Sequence, residues 1–185
     1  MTRRRALILA ALALLCLACF GAPVRAQTRT AQQQLAVDIY KELVEINTVT
    51  ATGDTARAAE AMAVRLRAAG LSASDVQVFT SAPRKGNLVA RLRGTGARKP
   101  ILLLAHLDVV EARREDWSVD PFKLIDKDGY FYGRGTADDK FMAAAFVANL
   151  IRYVQEGTGR IETSSLRSTP MRRFSIVTPW GFNGC

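Results

Sequence analysis

The only histidine of this chain, His106, stands two residues before an aspartate, Asp108, at the end of the apolar run Ile101 to Ala105. On an extended segment side chains alternate, so the imidazole and the carboxylate point to the same side. A carboxylate so placed accepts a proton from one ring nitrogen, fixes the tautomer and raises the basicity of the other nitrogen toward a metal ion. Further on, Gly133-Arg134-Gly135 bends the backbone and delivers Asp138 and Asp139 to the start of a helix. A second carboxylate can thereby reach the imidazole, and its two oxygens can bridge two metal ions. Each piece alone has a plainer reading. His-x-Asp also suits a satisfied core or surface histidine, Gly-Arg-Gly a turn, Asp138-Asp139 a helix N-terminus that favours negative charge, and Lys140 a solvated side chain.

Helices and strands must position these residues. From Gln32 to Ile46, Leu35, Ile39, Leu43 and Ile46 recur at helical spacing with charged residues between them, which predicts an amphipathic helix laid on a core. Thr52 to Thr55 offers caps for a second helix, Ala56 to Ala69, with Ala59, Met62, Leu66 and Ala69 inward and Gly70 as its stop. Val76 to Phe79 and Asn87 to Leu92 alternate as half-buried strands do, whereas Ile101 to Ala105 is apolar throughout and reads as a central strand covered on both faces. This order predicts an α/β sandwich, whose ligands bind at the C-terminal ends of the strands, where His106 and Asp108 lie. Asp126 to Gly129 reads as a hairpin turn between Phe122–Ile125 and Tyr130–Tyr132. Asp139 to Tyr153 reads as a helix whose alanines permit close approach to the sheet, and Trp117 as a packing residue.

Composition narrows the classes. The formal charge is +9, but Arg3, Arg4, Arg5 and Arg25 carry +4 of it and the segment after Gly157 carries +3, which leaves +2 for the body of the chain. A nucleic-acid binder would hold its charge on the folded domain, so none is expected as a partner. Residues 1–26 have the parts of an export signal: three arginines, an apolar run from Ala6 to Phe20, and Val24-Arg25-Ala26 as the cleavage site. The run is short for a membrane span. The chain is therefore expected in the periplasm or outside the cell, without a stable span. Cys16 and Cys19 would leave with the signal and only Cys185 would remain, so no internal disulfide is expected.

The motifs HLDVV, Trp-x-x-Asp-Pro-Phe and DGYFYGRGTADDK, followed by an alanine-rich helix, closely resemble the zinc-dependent aminoacylase, glutamate carboxypeptidase and succinyl-diaminopimelate desuccinylase family of exopeptidases. The similarity runs from about Leu35, through ELVEINTV and KGNLVARL, to Glu156. It implies a three-layer α/β/α sandwich of the dizinc exopeptidase type, truncated here, with the catalytic domain beginning in residues 27–157. By the resemblance His106 would hold one zinc, Asp108 would be the catalytic-site aspartate that orients it, and Asp138 would bridge two zincs. Arg134 and Gly135 would shape the loop. Phe141 departs from the glycine that many members carry after the lysine.

The resemblance also implies residues this chain lacks. Family members continue with a strand ending in a Glu-Glu pair, general base first and zinc ligand second, then a further acidic ligand and a second histidine. No second histidine and no Glu-Glu pair occurs here, whereas zinc takes about three to four protein ligands. Thr158 to Cys185 shows no helical or strand period and is expected to be a non-homologous tail, the family's continuation translated in another frame. Shifting the frame on chosen codons yields a buried strand followed by Asp-Glu-Glu, and Met171, with its one codon, helps force that aspartate. The expected parent activity is hydrolysis of amide bonds in peptides or N-acyl amino acids through zinc. The chain itself is expected to be inactive and poorly stable, with an unpaired sheet edge and an exposed core face. The alternative is a secreted binding module that keeps the front half of the fold and uses its tail to hold a partner.

Overall fold

The computed structural model describes residues 28–94 and 99–157, and the backbone of 174–177. The predicted export signal lies outside the described residues, as does the tail apart from 174–177. Helix α1, Ala31–Glu45, starts from a capping box in which Thr30 accepts from the Gln33 N–H and the Gln33 side chain accepts from the Thr30 N–H. Its inward stripe is Ile39, Tyr40, Leu43 and Val44. Helix α2, Thr55–Ala68, is capped by Asp54, whose carboxylate accepts from the Arg57 N–H at 2.7 Å, and it buries Ala58, Ala59, Met62, Ala63 and Leu66.

Strands β1 (Val76–Ala82) and β2 (Lys85–Leu92) form an antiparallel hairpin, and β3 (Ile101–Leu104) follows. Strands β4 (Ile125–Lys127) and β5 (Tyr130–Tyr132) make a separate hairpin, its turn at Asp128 and Gly129 with φ of 54° and 80°. Two successive positive φ values are what a two-residue type I′ turn requires, hence Asp-Gly. Helix α3, Lys140–Gln155, completes the helical layer, and β6 (Phe174–Val177) completes the sheet.

The sheet order is β1-β2-β6-β3, with β6 antiparallel to β2 and parallel to β3. Two expectations are corrected by it. The tail, which shows no strand period, nonetheless supplies a strand, seated between two others. Strand β3, expected at the centre and covered on both faces, is the last strand of the described sheet, and its Leu102 and Leu104 are 58% and 54% exposed. The physical reason is that the described helices lie on one face only. Leu88 and Ala90 of β2 are wholly buried beneath α2, and Leu103 joins the same core, while alternate residues face away from it. Helix α3 packs against α1, and its Ala143, Ala144 and Ala148 share one core with Leu88 and Ala90 of β2. No helix among the described residues is long and apolar enough to cross a membrane.

Candidate functional site

Three connections meet at the C-terminal end of β3. The segment after α1 is tied to the segment after β3: the Thr48 hydroxyl donates to the Leu107 carbonyl at 2.6 Å and the Val109 N–H to the Thr48 carbonyl at 3.2 Å. The loop before α3 is tied to α1 from below, where the Tyr40 hydroxyl donates to the Thr136 carbonyl and the Lys140 Nζ to the Ile46 carbonyl, both at 2.8 Å. Burial pushes the Tyr40 phenol up to about 12, so it stays a donor throughout the neutral range. Gly135 is required at its place: its φ is +82°, and a Cβ there would come within 2.7 Å of Val109 Cγ1 and 3.1 Å of Lys140 Cδ.

These ties bring together all three predicted site residues. His106 Nε2 lies 2.7 Å from Asp138 Oδ1, across 32 positions of sequence. On the other side of the ring, Nδ1 meets the backbone carbonyl of Asp108 at 3.0 Å and its carboxylate at 3.4 Å. The expected hydrogen bond is corrected to this extent: the carbonyl of Asp108 is a nearer acceptor for Nδ1 than its carboxylate. Burial pulls the imidazole pKa down, but the Asp138 hydrogen bond, the Asp108 carbonyl and the two carboxylate charges outweigh it and hold it above its ordinary value. Asp108 is mostly covered, at 19% side-chain exposure, whereas Asp138 is 87% exposed at the mouth. A cleft of about 340 Å³ opens over the pair, walled also by Thr50, Val110 and Arg134.

The profile of peptidase family M20/M25/M40 matches residues 102–164. Succinyl-diaminopimelate desuccinylase of Delftia acidovorans is 35% identical over 122 residues, covering 65% of this chain and 31% of that protein. Aminoacylase-1 of Sus scrofa is 33% identical over 126 residues, covering 66% and 30%. This chain carries part of a peptidase family M20/M25/M40 domain. It spans about three-tenths of the length of these relatives. An M20 family metallo-carboxypeptidase from Sulfolobus solfataricus superposes with a TM-score of 0.60 at 16% identity, over 77% of this chain and 30% of that one. The described α/β arrangement thus resembles the M20 peptidase catalytic fold in part.

Within this partial M20/M25/M40 domain, the residue types alone pointed away from two contributors. Lys140, read as a solvated side chain, is wholly buried, and burial draws its pKa down to about 7. Its spacing carried the signal: 140, 143, 144, 147, 148 and 151 form one helical stripe, buried along its length. Asp139, read as part of a helix N-terminus, makes no side-chain cap bond and instead accepts from the His106 backbone N–H at 3.3 Å. Burial pushes the Asp139 pKa up, with the Asp138 charge adding to it and the His106 N–H opposing. No sequence signal distinguishes that role from a cap. Among the described residues, no group of three or more His, Cys, Asp or Glu side chains is placed to hold a metal ion.

Proposed function

We propose that the chain is the front part of an exported, zinc-dependent exopeptidase or amidohydrolase, built on a three-layer α/β/α sandwich and acting on peptides or N-acyl amino acids. The observation that carries this reading is the pairing of His106 Nε2 with the exposed Asp138 carboxylate, at the end of β3 and over an open cleft. An imidazole nitrogen and a carboxylate oxygen are donors of the kind zinc takes. With Nδ1 satisfied by the Asp108 carbonyl, the ring is held so that Nε2 is the atom facing the cleft. Asp108 is thus a positioning group, and Asp138, paired with Nε2 through Oδ1, stands exposed at the mouth of the cleft.

Zinc, when bound, would polarise the scissile carbonyl and lower the pKa of a water molecule. The residues described here fit part of a two-zinc site, His106 and Asp138 with Asp108 behind them, and they fall short of a full ligand set. No proton acceptor for an attacking water is found among the predicted site residues either. The chain as it stands is accordingly proposed to bind zinc weakly and to turn over no substrate. The tail is proposed to be the family's continuation in another frame, which the nucleotide sequence around Gly157 decides. The binding-module reading has less to support it, since 174–177 of its proposed partner-binding tail pairs with β2 and β3.

The test is zinc titration of the full chain beside its His106→Ala and Asp138→Ala variants, together with assays on dipeptides and N-acyl amino acids. Weak binding that both substitutions abolish, without turnover, is the expected result. Zinc binding indifferent to both substitutions would remove the metal role, and hydrolysis abolished by His106→Ala would overturn the proposed inactivity.

A further inference from the structure

His106 follows β3 and Asp138 precedes α3, and two contacts join these segments. The first is direct, His106 Nε2 to Asp138 Oδ1 at 2.7 Å. The second runs through the neighbouring residue: Asp139 Oδ2 accepts from the His106 backbone N–H at 3.3 Å. A metal ion would treat the two differently. Zinc is tetrahedral and takes nitrogen and oxygen ligands at about 2.0–2.2 Å, so two atoms sharing one ion stand about 3.3 Å apart. With a carboxylate as acceptor Nε2 carries a proton, and zinc needs the lone pair in its place. The direct contact and a shared ion are therefore mutually exclusive. The backbone amide of His106 is no metal ligand, and its bond to Asp139 can persist. Asp139 is firmly mounted for such a task. It stands at the start of α3 without a side-chain cap bond, its carbonyl accepts from the Ala143 N–H at 3.2 Å, and the next residue, Lys140, is wholly buried. Asp138, by contrast, is 87% exposed.

We propose that Asp139 is the positioning residue of this half-site, holding His106 within reach of Asp138 once a metal ion has displaced their direct hydrogen bond. The role rests on the reading of His106 and Asp138 as zinc ligands and adds the residue that keeps them together. Holding two ligands in place before the ion arrives lowers the cost of binding it, which is why groups behind the ligands matter to metal affinity. Two other roles would make the same contact: a zinc ligand in its own right, or a nearby negative charge that draws the cation in. Both need the charge of the carboxylate, whereas an acceptor for an N–H is supplied equally by an amide oxygen. A brace for the start of α3 alone would leave zinc affinity untouched.

The experiment titrates zinc into the full chain and its Asp139→Ala, Asp139→Asn and His106→Ala variants, and follows hydrogen exchange of the His106 backbone amide by NMR in EDTA and in excess zinc. Asp139→Ala is expected to lose about tenfold in zinc affinity, and Asp139→Asn, which keeps the acceptor, to recover most of that loss. The His106 amide should stay protected with and without zinc in wild type and Asp139→Asn, and exchange about tenfold or more faster in Asp139→Ala. Unchanged zinc affinity in Asp139→Ala, an equal loss in Asp139→Asn, or an amide that loses protection when zinc is added to wild type would each overturn the proposal. Should Asp139→Ala fail to fold, Asp139→Asn and the exchange of the wild-type amide with and without zinc still decide. Zinc that does not bind wild type, or binds regardless of His106→Ala, removes the metal reading and this role together. Zinc binding lost in His106→Ala but kept in full by Asp139→Ala removes this role alone.

Discussion

On one face of the sheet, Val76, Leu88 and Ala90 lie at 1%, 0% and 0% exposure beneath α2; on the other, Phe79, Leu102 and Leu104 stand 52%, 58% and 54% exposed. Strand β3 is apolar on both sides, as a strand covered twice needs to be, but the described helices cover only one. Burial of apolar area is what stabilises such a layer, so the helical side carries most of the stability and the open side little. The candidate site is held from the stable side. Tyr40 of α1 and Lys140 of α3 grip the loop that carries Asp138, and Thr48 grips the segment that carries His106. An ordered half-site therefore does not require the second face to be covered.

The largest effect should come from the covered side. Leu88→Ala removes a wholly buried side chain and is expected to lower stability by about 2–5 kcal/mol, measured by urea unfolding. Gly135→Ala comes next, at about 1–3 kcal/mol, because it forces a side chain to positive φ against Val109. A variant as stable as wild type would show that this loop is not clamped.

Lys140→Met probes the clamp through pH. The folded-state pKa of Lys140 lies near 7, below the ordinary 10.5, so between these values the unfolded chain binds the proton that the folded chain has released. Stability from this group is fully present above about pH 10.5 and is lost as pH falls toward 7. Wild type should therefore gain stability relative to Lys140→Met as pH rises through that window; parallel pH profiles would place the ammonium in solvent. The smallest effect is expected on the open face, where Leu104→Gln should change stability by no more than about 0.5 kcal/mol and reduce self-association in light scattering. A loss there comparable to that of Leu88→Ala would mean that the face is covered in solution.

Legibility in the sequence follows the range of the interaction. The helices and the Asp128-Gly129 turn were readable because apolar period, caps and turn residues act within a few positions. Strand β6 was not, because Phe174–Val177 is too short to show alternation and pairs with strands more than 70 positions away. Lys140 set two signals against each other, a residue type that favours water and a spacing that favours the core. Spacing prevailed because the long stem runs under Gly135 and its head finds the Ile46 carbonyl.

The sequence by itself determined the residues able to do chemistry, the faces of the helices and the family resemblance, since these depend on residue type and local order. Tertiary structure alone decided that Asp138 meets Nε2, that the Asp108 carbonyl is a nearer acceptor for Nδ1 than its carboxylate, and that Arg134 lines the same cleft. Each of these depends on loops that are distant in sequence and brought to one place by side-chain donors on backbone carbonyls, a nonlocal closure that no local pattern encodes.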